Sequence, residues 1–413
     1  MIGFNILFVI AVIILVMVFF LIAIRKIGRI ELKIWQIMVL GASAAIMTGQ
    51  ISVWDSIRSV NMDVILFLFG VFVIGKALED SGYLGHLSYR MFRRSTSVDR
   101  LILTILFGMG LASTILMNDT LAIIGTPVML HLAGKHHISP KLLLLTLAIS
   151  VTTGSVMSPI GNPQNLLIAM DGGIVNPFIT FMQYLFIPTL INILAAFVLL
   201  KIVFREHFHN IQLNHSEEPI RDHHLAGLAR MSLSILVILI IVKICMVLFN
   251  AGYELKLTYI SLLAALPVII LHDERVYVLS RIDWHTLIFF AAMFILMQSV
   301  WDTGFFQHCM DSFQINTTHM ILAVSVILSQ FISNVPLVAL YLPMLTGAGP
   351  SQLMALAAGS TIAGNLTILG AASNVIIIQN AEKYGHTIGF LDFIRIGLPL
   401  TLVNMTVYYL FLI

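Results

Sequence analysis

The chain has 413 residues, 59% of them hydrophobic and only 10% charged, with a formal net charge of +2. Soluble domains average roughly 25% charged residues, so a soluble globular class is excluded. The near-neutral balance, with its basic residues in loops between apolar runs, gives no reason to expect a nucleic-acid partner.

Stretches of about 17–25 apolar residues mark membrane spans. In chain order the first half predicts spans near 4–24, 34–52, 62–78, 141–170 and 176–203. The first of these is of span length rather than a short cleavable signal core. Between the third and fourth lies an apolar element, 101–133, broken at 118–120. The second half repeats the plan, with spans near 231–249, 256–272, 285–300, 351–380 and 393–412 and a broken element at 320–346. Polar or Pro/Gly breaks at 158–165 and 367–374 split the fourth span of each half.

If the two broken elements are re-entrant hairpins, 19 of the 22 Lys and Arg residues fall on one face. Arg58 and Lys256 fall on the other, and Lys243 lies inside a span near its outer end, where snorkelling is expected. The positive-inside bias then predicts an integral, multi-pass protein of the cell membrane with both termini outside. Five spans plus a hairpin give an odd number of crossings, so the second half must be inverted relative to the first. The expected fold is an all-α polytopic membrane protein of two inverted repeats. Each has about five spans, a re-entrant hairpin and a broken fourth span. The repeats are residues 1–204 and 231–413, joined by a cytoplasmic linker, 205–230.

That linker holds His207, His209, His215, His223 and His224 without a tight ligand pattern and reads as solvated chain. Cys245 and Cys309 have no metal spacing. No metal and no cofactor are expected. The mixed basic and aromatic segment from Ser81 to Arg100 suits either a helix at the cytoplasmic interface or an ordinary basic loop.

The strongest signal is a polar pattern that occurs twice inside these apolar surroundings. Asn118 to Pro127 reads NDTLAIIGTP, followed by IGNPQN from Ile160 to Asn165. Asn334 to Pro343 reads NVPLVALYLP, followed by LGAASN from Leu369 to Asn374. Flanking residues align too, with Asp80-Ser81-Gly82 matching Asp302-Thr303-Gly304. Polar groups and helix breakers at membrane depth are costly unless they line a cavity. Two such sets related by a repeat are the signature of a secondary transporter with a midplane site.

The first tip, Asn118-Asp119-Thr120, offers an amide, a carboxyl and a hydroxyl. A charged Asp at membrane depth costs roughly 2.5–3.5 kcal/mol on insertion scales, which points to proton or cation handling. The alternative is a neutral Asp that only shapes the hairpin. The second tip, Ser333-Asn334, has Val335 where the first has Asp119, so the two halves are chemically unequal. The first break supplies Gly161, Asn162, Gln164 and Asn165; the second supplies Asn365, Thr367, Gly370, Ser373 and Asn374. Helix ends at such breaks expose carbonyls that suit cations and N–H groups that suit anions. Thr152 and Thr361 occupy equivalent positions and read as helix packing. No nucleophile–base set is present, so no enzyme is expected, and no Walker loop indicates an ATPase partner.

The segments NDTLAIIGTPVMLHLA, SPIGNPQNLLIA, SNVPLVALYLPML and STIAGNLTILGAASNVIII resemble the ion-transporter superfamily. That superfamily includes arsenite-efflux permeases, plant silicic-acid exporters, NhaD-type sodium/proton antiporters and sodium-coupled dicarboxylate symporters. NDT, SPIGNPQN and AGNLTILGAASN resemble the arsenite and silicic-acid exporter branch most. The resemblance implies two hairpins whose tips meet the broken fourth spans, and often a homodimer. The dicarboxylate branch carries Ser-Asn-Thr at both tips; here the first reads Met117-Asn118-Asp119 and the second has Val335 in place of Thr.

The leading expectation is proton-coupled export of a small oxyacid such as arsenous or silicic acid, because the motif segments contain no Lys or Arg. The alternatives are sodium-coupled di- or tricarboxylate symport, sodium/proton antiport and a passive channel. The expected partners are a small-molecule or ion substrate and the lipid bilayer, with H+ or Na+ as coupling ion.

Overall fold

The computed structural model describes residues 6–24, 26–27, 30–83, 86, 90, 92–93, 95–174, 176–208, 220–249, 255–304, 317–345 and 347–413. The described chain is helical apart from a two-residue antiparallel ladder, Lys26–Ile27 with Ile30–Glu31. The first half forms α1 (Ile6–Ile24), α2 (Ile34–Met47), α3 (Val53–Ser59), α4 (Met62–Asp80), α5 (Val98–Leu116), α6 (Asn118–His136), α7 (Pro140–Ser155), α8 (Pro163–Asp171) and α9 (Pro177–Val203). The second forms α10 (His223–Leu248), α11 (Leu257–Leu271), α12 (Arg275–Ser280), α13 (Trp284–Trp301), α14 (Thr318–Ile332), α15 (Asn334–Tyr341), α16 (Pro350–Leu366), α17 (Ala372–Lys383) and α18 (Phe390–Leu412).

Short polar residues between the apolar runs set where helices begin. Ser52, Asn61, Ser97, Asn162, Asn176 and Asp283 each accept a first-turn backbone N–H, satisfying donors that a helix start leaves unpaired. Five described helices carry a stretch long and apolar enough to cross a membrane: Val98–Ile115, Pro177–Val203, His223–Lys243, Trp284–Trp301 and Phe390–Leu412. The pair α3 and α4 qualifies together, bent by 54° at its break.

Both expected breaks in the fourth spans are present. The chain leaves helix after Ser155 and re-enters it at Pro163, and it leaves after Leu366 and resumes at Ala372 with one 3-10 turn between. The hairpins break at a single residue: Met117, one position before the expected 118–120, and Ser333, the first residue of the expected second tip. Three other expectations differ from, or fall outside, the described structure. Helix α10 starts at His223, within the segment read as linker. Lys243 is only 5% exposed, so its side chain is enclosed by protein. His209, His215, Cys309 and much of the segment 81–100 lie outside the described residues.

Packing falls into two sets. On one side α4 lies against α11 and α2 against α13. Asp63 ties the starts of α4 and α11 together, meeting Lys256 at 3.0 Å and the Thr258 hydroxyl at 3.0 Å. On the other side each hairpin's first arm packs on the broken span of its own half, α5 on α7 and α14 on α16. Each returning arm lies along the broken span of the other half, α6 on α17 and α15 on α8. Glycine permits the closest of these approaches: a Cβ on Gly154 would stand 2.2 Å from the Gly110 carbonyl oxygen.

Candidate functional site

The tips are shaped by one unusual backbone geometry used twice. Met117 has φ 59° and ψ 146°, and Ser333 has φ 68° and ψ 159°. Positive φ costs a non-glycine residue about 1–3 kcal/mol and persists only where surrounding contacts enforce it. The two residues stand 216 positions apart, as do Asn118 and Asn334. The same turn therefore reverses both hairpins.

At the first tip the Asn118 N–H donates to the Gly161 carbonyl at 2.9 Å, joining hairpin to break. Its side-chain oxygen accepts from the Asp119 N–H at 2.9 Å. Asn118 and Thr120 are buried. No ion pair of the Asp119 carboxyl is found among the described residues, and none of their side chains hydrogen-bonds it. Ser158 anchors the hairpin arm to the break by donating to the Thr114 carbonyl at 2.7 Å.

Within the first break, Asn165 is fully buried and its amide donates to the carbonyls of Ser155, Val156 and Ser158 at 3.2, 3.2 and 3.0 Å. These carbonyls lie where the helix ends at Ser155 and in the turn after it; those of Ser155 and Ser158 also accept backbone N–H groups at 3.3 Å. Asn374 does the same in the second break, donating to the carbonyls of Gly364 and Thr367. Those two residues are the counterparts, 209 positions on, of Ser155 and Ser158. Gln330, the counterpart of Thr114 at the hairpin offset, accepts from the Thr367 hydroxyl at 2.7 Å and donates to the Ala363 carbonyl at 2.9 Å. A Cβ on Gly370 would fall 2.2 Å from the Ala363 oxygen, which fixes glycine there.

A polar seam joins the two breaks. The Thr361 hydroxyl accepts from Asn162 at 3.2 Å and Gln164 at 3.3 Å, and donates to the side-chain oxygen of Asn165 at 3.3 Å. Asn162 also donates to the Ser155 hydroxyl at 3.0 Å, and Asn365 donates to Thr153 at 3.0 Å. Asn334, Ser373 and Asn374 keep buried oxygens with no protein partner. Ser333 faces a narrow crevice shared with Gln330, Leu369 and Ala372.

A separate cavity of about 230 Å³ opens between α4, α6, α17 and the turn that enters α13. Ile123 and Ile124, about one turn beyond Asp119 on α6, form part of its wall, and Lys76, Glu79, Arg281, Asp283 and Lys383 supply its charges. Lys383 meets the buried Asp283 at 2.9 Å, Lys76 meets Asp80 at 2.9 Å, and the Tyr384 hydroxyl donates to Glu79.

With this geometry in hand, a family model described as CitMHS, citrate transporter, matches residues 17–353. The chain belongs to that family. It is an integral multi-pass membrane transporter and not an enzyme, and the resemblance to the ion-transporter superfamily read from its motifs holds. It is 26% identical over 435 residues to the silicon efflux transporter LSI3 of Oryza sativa, covering 88% of this chain and 89% of that one. An uncharacterized transporter of Mycobacterium tuberculosis is 26% identical over 425 residues, covering 96% of both. The P protein of Homo sapiens is 23% identical over 460 residues and 89% of this chain, which spans only 55% of that protein's length. Among solved structures, the YdaH transporter of Alcanivorax borkumensis aligns over 98% of this chain and 96% of its own, with TM-score 0.46 and 15% identity.

In this CitMHS-family chain the structure gathers Asn118, Gly161, Asn162, Gln164 and Asn165 at the first tip and break. It gathers Thr367, Gly370 and Asn374 at the second, with Asn365 in the seam. The sequence reading assigned Thr361 to packing, yet its hydroxyl is the hub of the seam. Gln330 was not singled out, although a lone Gln in an apolar hairpin arm was a usable signal. Replacing Thr361 with Val keeps the shape but removes one bond from each of three amide groups, leaving the Gln164 amide N–H and the Asn165 side-chain oxygen unpaired. Each buried group left unpaired costs about 1–3 kcal/mol. Thr361→Val is therefore expected to lower the unfolding temperature and to cut transport more than Thr361→Ser does. Equal behaviour of the two variants would contradict the hub role.

Proposed function

We propose that this transporter exports small neutral oxyacids such as silicic or arsenous acid in exchange for protons. The observation that carries the reading is the chemistry of the seam. Every side chain bonded in it is an amide or a hydroxyl, the groups that replace the water shell of a neutral hydroxylated solute. Asp119 is the acid at the tips and would exchange the proton. Similarity to a silicon efflux transporter supports this substrate class.

In this reading residues 1–204 and 231–413 are inverted halves joined through 205–230, and they move against one another around the tips. The recurring offsets and the matched turns at Met117 and Ser333 support the inversion. The basic-loop face is cytoplasmic, both termini lie outside, and the cavity beside Ile124 is the cytoplasmic approach. In protein whose Cys245 and Cys309 are replaced by Ser, Ile124→Cys should react with a membrane-impermeant maleimide from that face alone. Reaction from the opposite face would reverse the orientation.

A second reading, sodium-coupled transport of di- or tricarboxylates, is favoured by the description of the family model. Each tip also lies near a helix start: Asn118 bonds Gly161, two residues before Pro163, and Ser333 shares a crevice with Ala372; helix N-termini favour anions. Currents from purified protein in liposomes on a solid-supported membrane separate the two. Silicic acid or arsenite responses that follow the pH gradient without sodium support export. A citrate or succinate response that vanishes without sodium establishes symport and overturns the oxyacid reading.

A further inference from the structure

The fifth spans repeat as well. Phe178, Phe181, Thr189 and Asn192 of α9 recur 212 positions on as Phe390, Phe393, Thr401 and Asn404 of α18. The two helices pack against each other. Positions i, i+3 and i+7 share a helix face, so Thr189, Asn192 and Ala196 form one stripe and Thr401, Asn404 and Tyr408 another. A measured contact joins the stripes: the hydroxyls of Thr189 and Tyr408 stand 2.7 Å apart. All six residues are at most 2% exposed.

The polar balance of this crossing does not close within the protein. Among the described residues, both amide atoms of Asn192, both of Asn404 and the Thr401 hydroxyl have no hydrogen-bond partner. Asn192 lies beside the Tyr408 hydroxyl without completing a bond by distance and angle. Unpaired polar groups in a membrane interior cost several kcal/mol each, and natural helices rarely keep five together. The repeat explains the imbalance. Thr189 has Tyr408 as its partner, whereas Thr401, its counterpart, would look toward Ala196, the counterpart of Tyr408. An alanine there supplies no hydroxyl. This last step rests on the relation between halves proposed above.

We infer that Asn192, Thr401 and Asn404 bind ordered water at the crossing of the fifth spans, beside Ala196, whose counterpart is a tyrosine. The ligand's chemistry follows from what is unmet. Each amide has both a donor and an acceptor to satisfy, and a cation would engage only the oxygens and leave the amide N–H groups unmet. Water donates and accepts, and it is stable in an interior site that offers two to four polar partners. The node would bridge the two halves where their last spans meet, well apart in sequence from the tips and breaks.

The test uses the full-length protein in lipid nanodiscs. A high-resolution map should show a density peak within hydrogen-bond distance of Asn192, Thr401 and Asn404. Direct contact of the two amides with no intervening peak would overturn the inference. Ala196→Ser, which adds a hydroxyl in the same space, should leave the unfolding temperature near that of the parent. Ala196→Val, which displaces water without replacing its bonds, should lower it by several degrees; equal effects of the two would overturn the inference. Unfolding temperatures measured in sodium and in choline chloride should coincide. A sodium-dependent rise that disappears in Asn192→Leu would assign the node to a cation instead. Because these readouts are structural and thermal, they stand or fall separately from the transported substrate.

Discussion

Asp119→Asn is expected to leave a folded protein whose transport no longer responds to a pH gradient. The substitution keeps the shape and the Asn118–Asp119 backbone contact while removing the acid from the first tip. No ion pair compensates the carboxyl among the described residues, so neutralising it strands no buried counter-charge. A charge at this depth costs roughly 2.5–3.5 kcal/mol, so the amide should match or exceed the parent in thermal stability. Coupling free energies of about 1–3 kcal/mol correspond to 5- to 150-fold effects. Stimulation by the gradient should therefore shrink about tenfold or more, while substrate counterflow at fixed pH persists. Unchanged pH dependence would remove Asp119 from proton handling and leave it a shaping role. Valine at the equivalent position 335 makes the complementary expectation direct: Val335→Ala should not alter the pH response.

The largest loss of stability among the site residues is expected at Asn165. Its amide pairs three carbonyls of the interrupted helix, and its oxygen accepts from Thr361. Asn165→Ala leaves the Val156 carbonyl without its amide, and the Ser155 and Ser158 carbonyls with only backbone N–H bonds at 3.3 Å, in a region with no exposed surface. The unsatisfied carbonyl costs about 1–3 kcal/mol, and the weakened bonds of its neighbours add to that loss. Asn374→Ala should cost less, because Asn374 pairs two carbonyls and its own oxygen has no partner. Asn165→Asp is the sharper probe, since it keeps the volume and converts the donor into a second acceptor facing three carbonyls. Thermal unfolding in detergent, followed by tryptophan fluorescence, should rank the variants as Asn165→Asp and Asn165→Ala below Asn374→Ala, with the parent highest. Equal midpoints for all four would show that the breaks are held by something other than these amides.

Composition alone fixed the class of this protein, because a chain that is 10% charged cannot bury its apolar surface except in lipid. Spacing placed the breaks, since Pro159, Gly161 and Pro163 cannot continue a helix with full backbone bonding. The duplicated Asn-to-Pro and Gly-to-Asn intervals pointed to both tips and both breaks. What the sequence left open was which hydroxyls join them. Thr152 and Thr361 are equivalent by position, yet Thr361 is shared by three amides and the Thr152 hydroxyl has no partner. Asn162, Gln164 and Asn165 meet Thr361 across nearly 200 residues of intervening chain. A contact between two broken helices depends on how they pack, and local pattern carries no record of it. The reversal of each hairpin at Met117 and Ser333 was equally hidden, because neither residue type favours positive φ. The tertiary contacts of the hairpins impose that turn, and with it the position of the acid at the first tip.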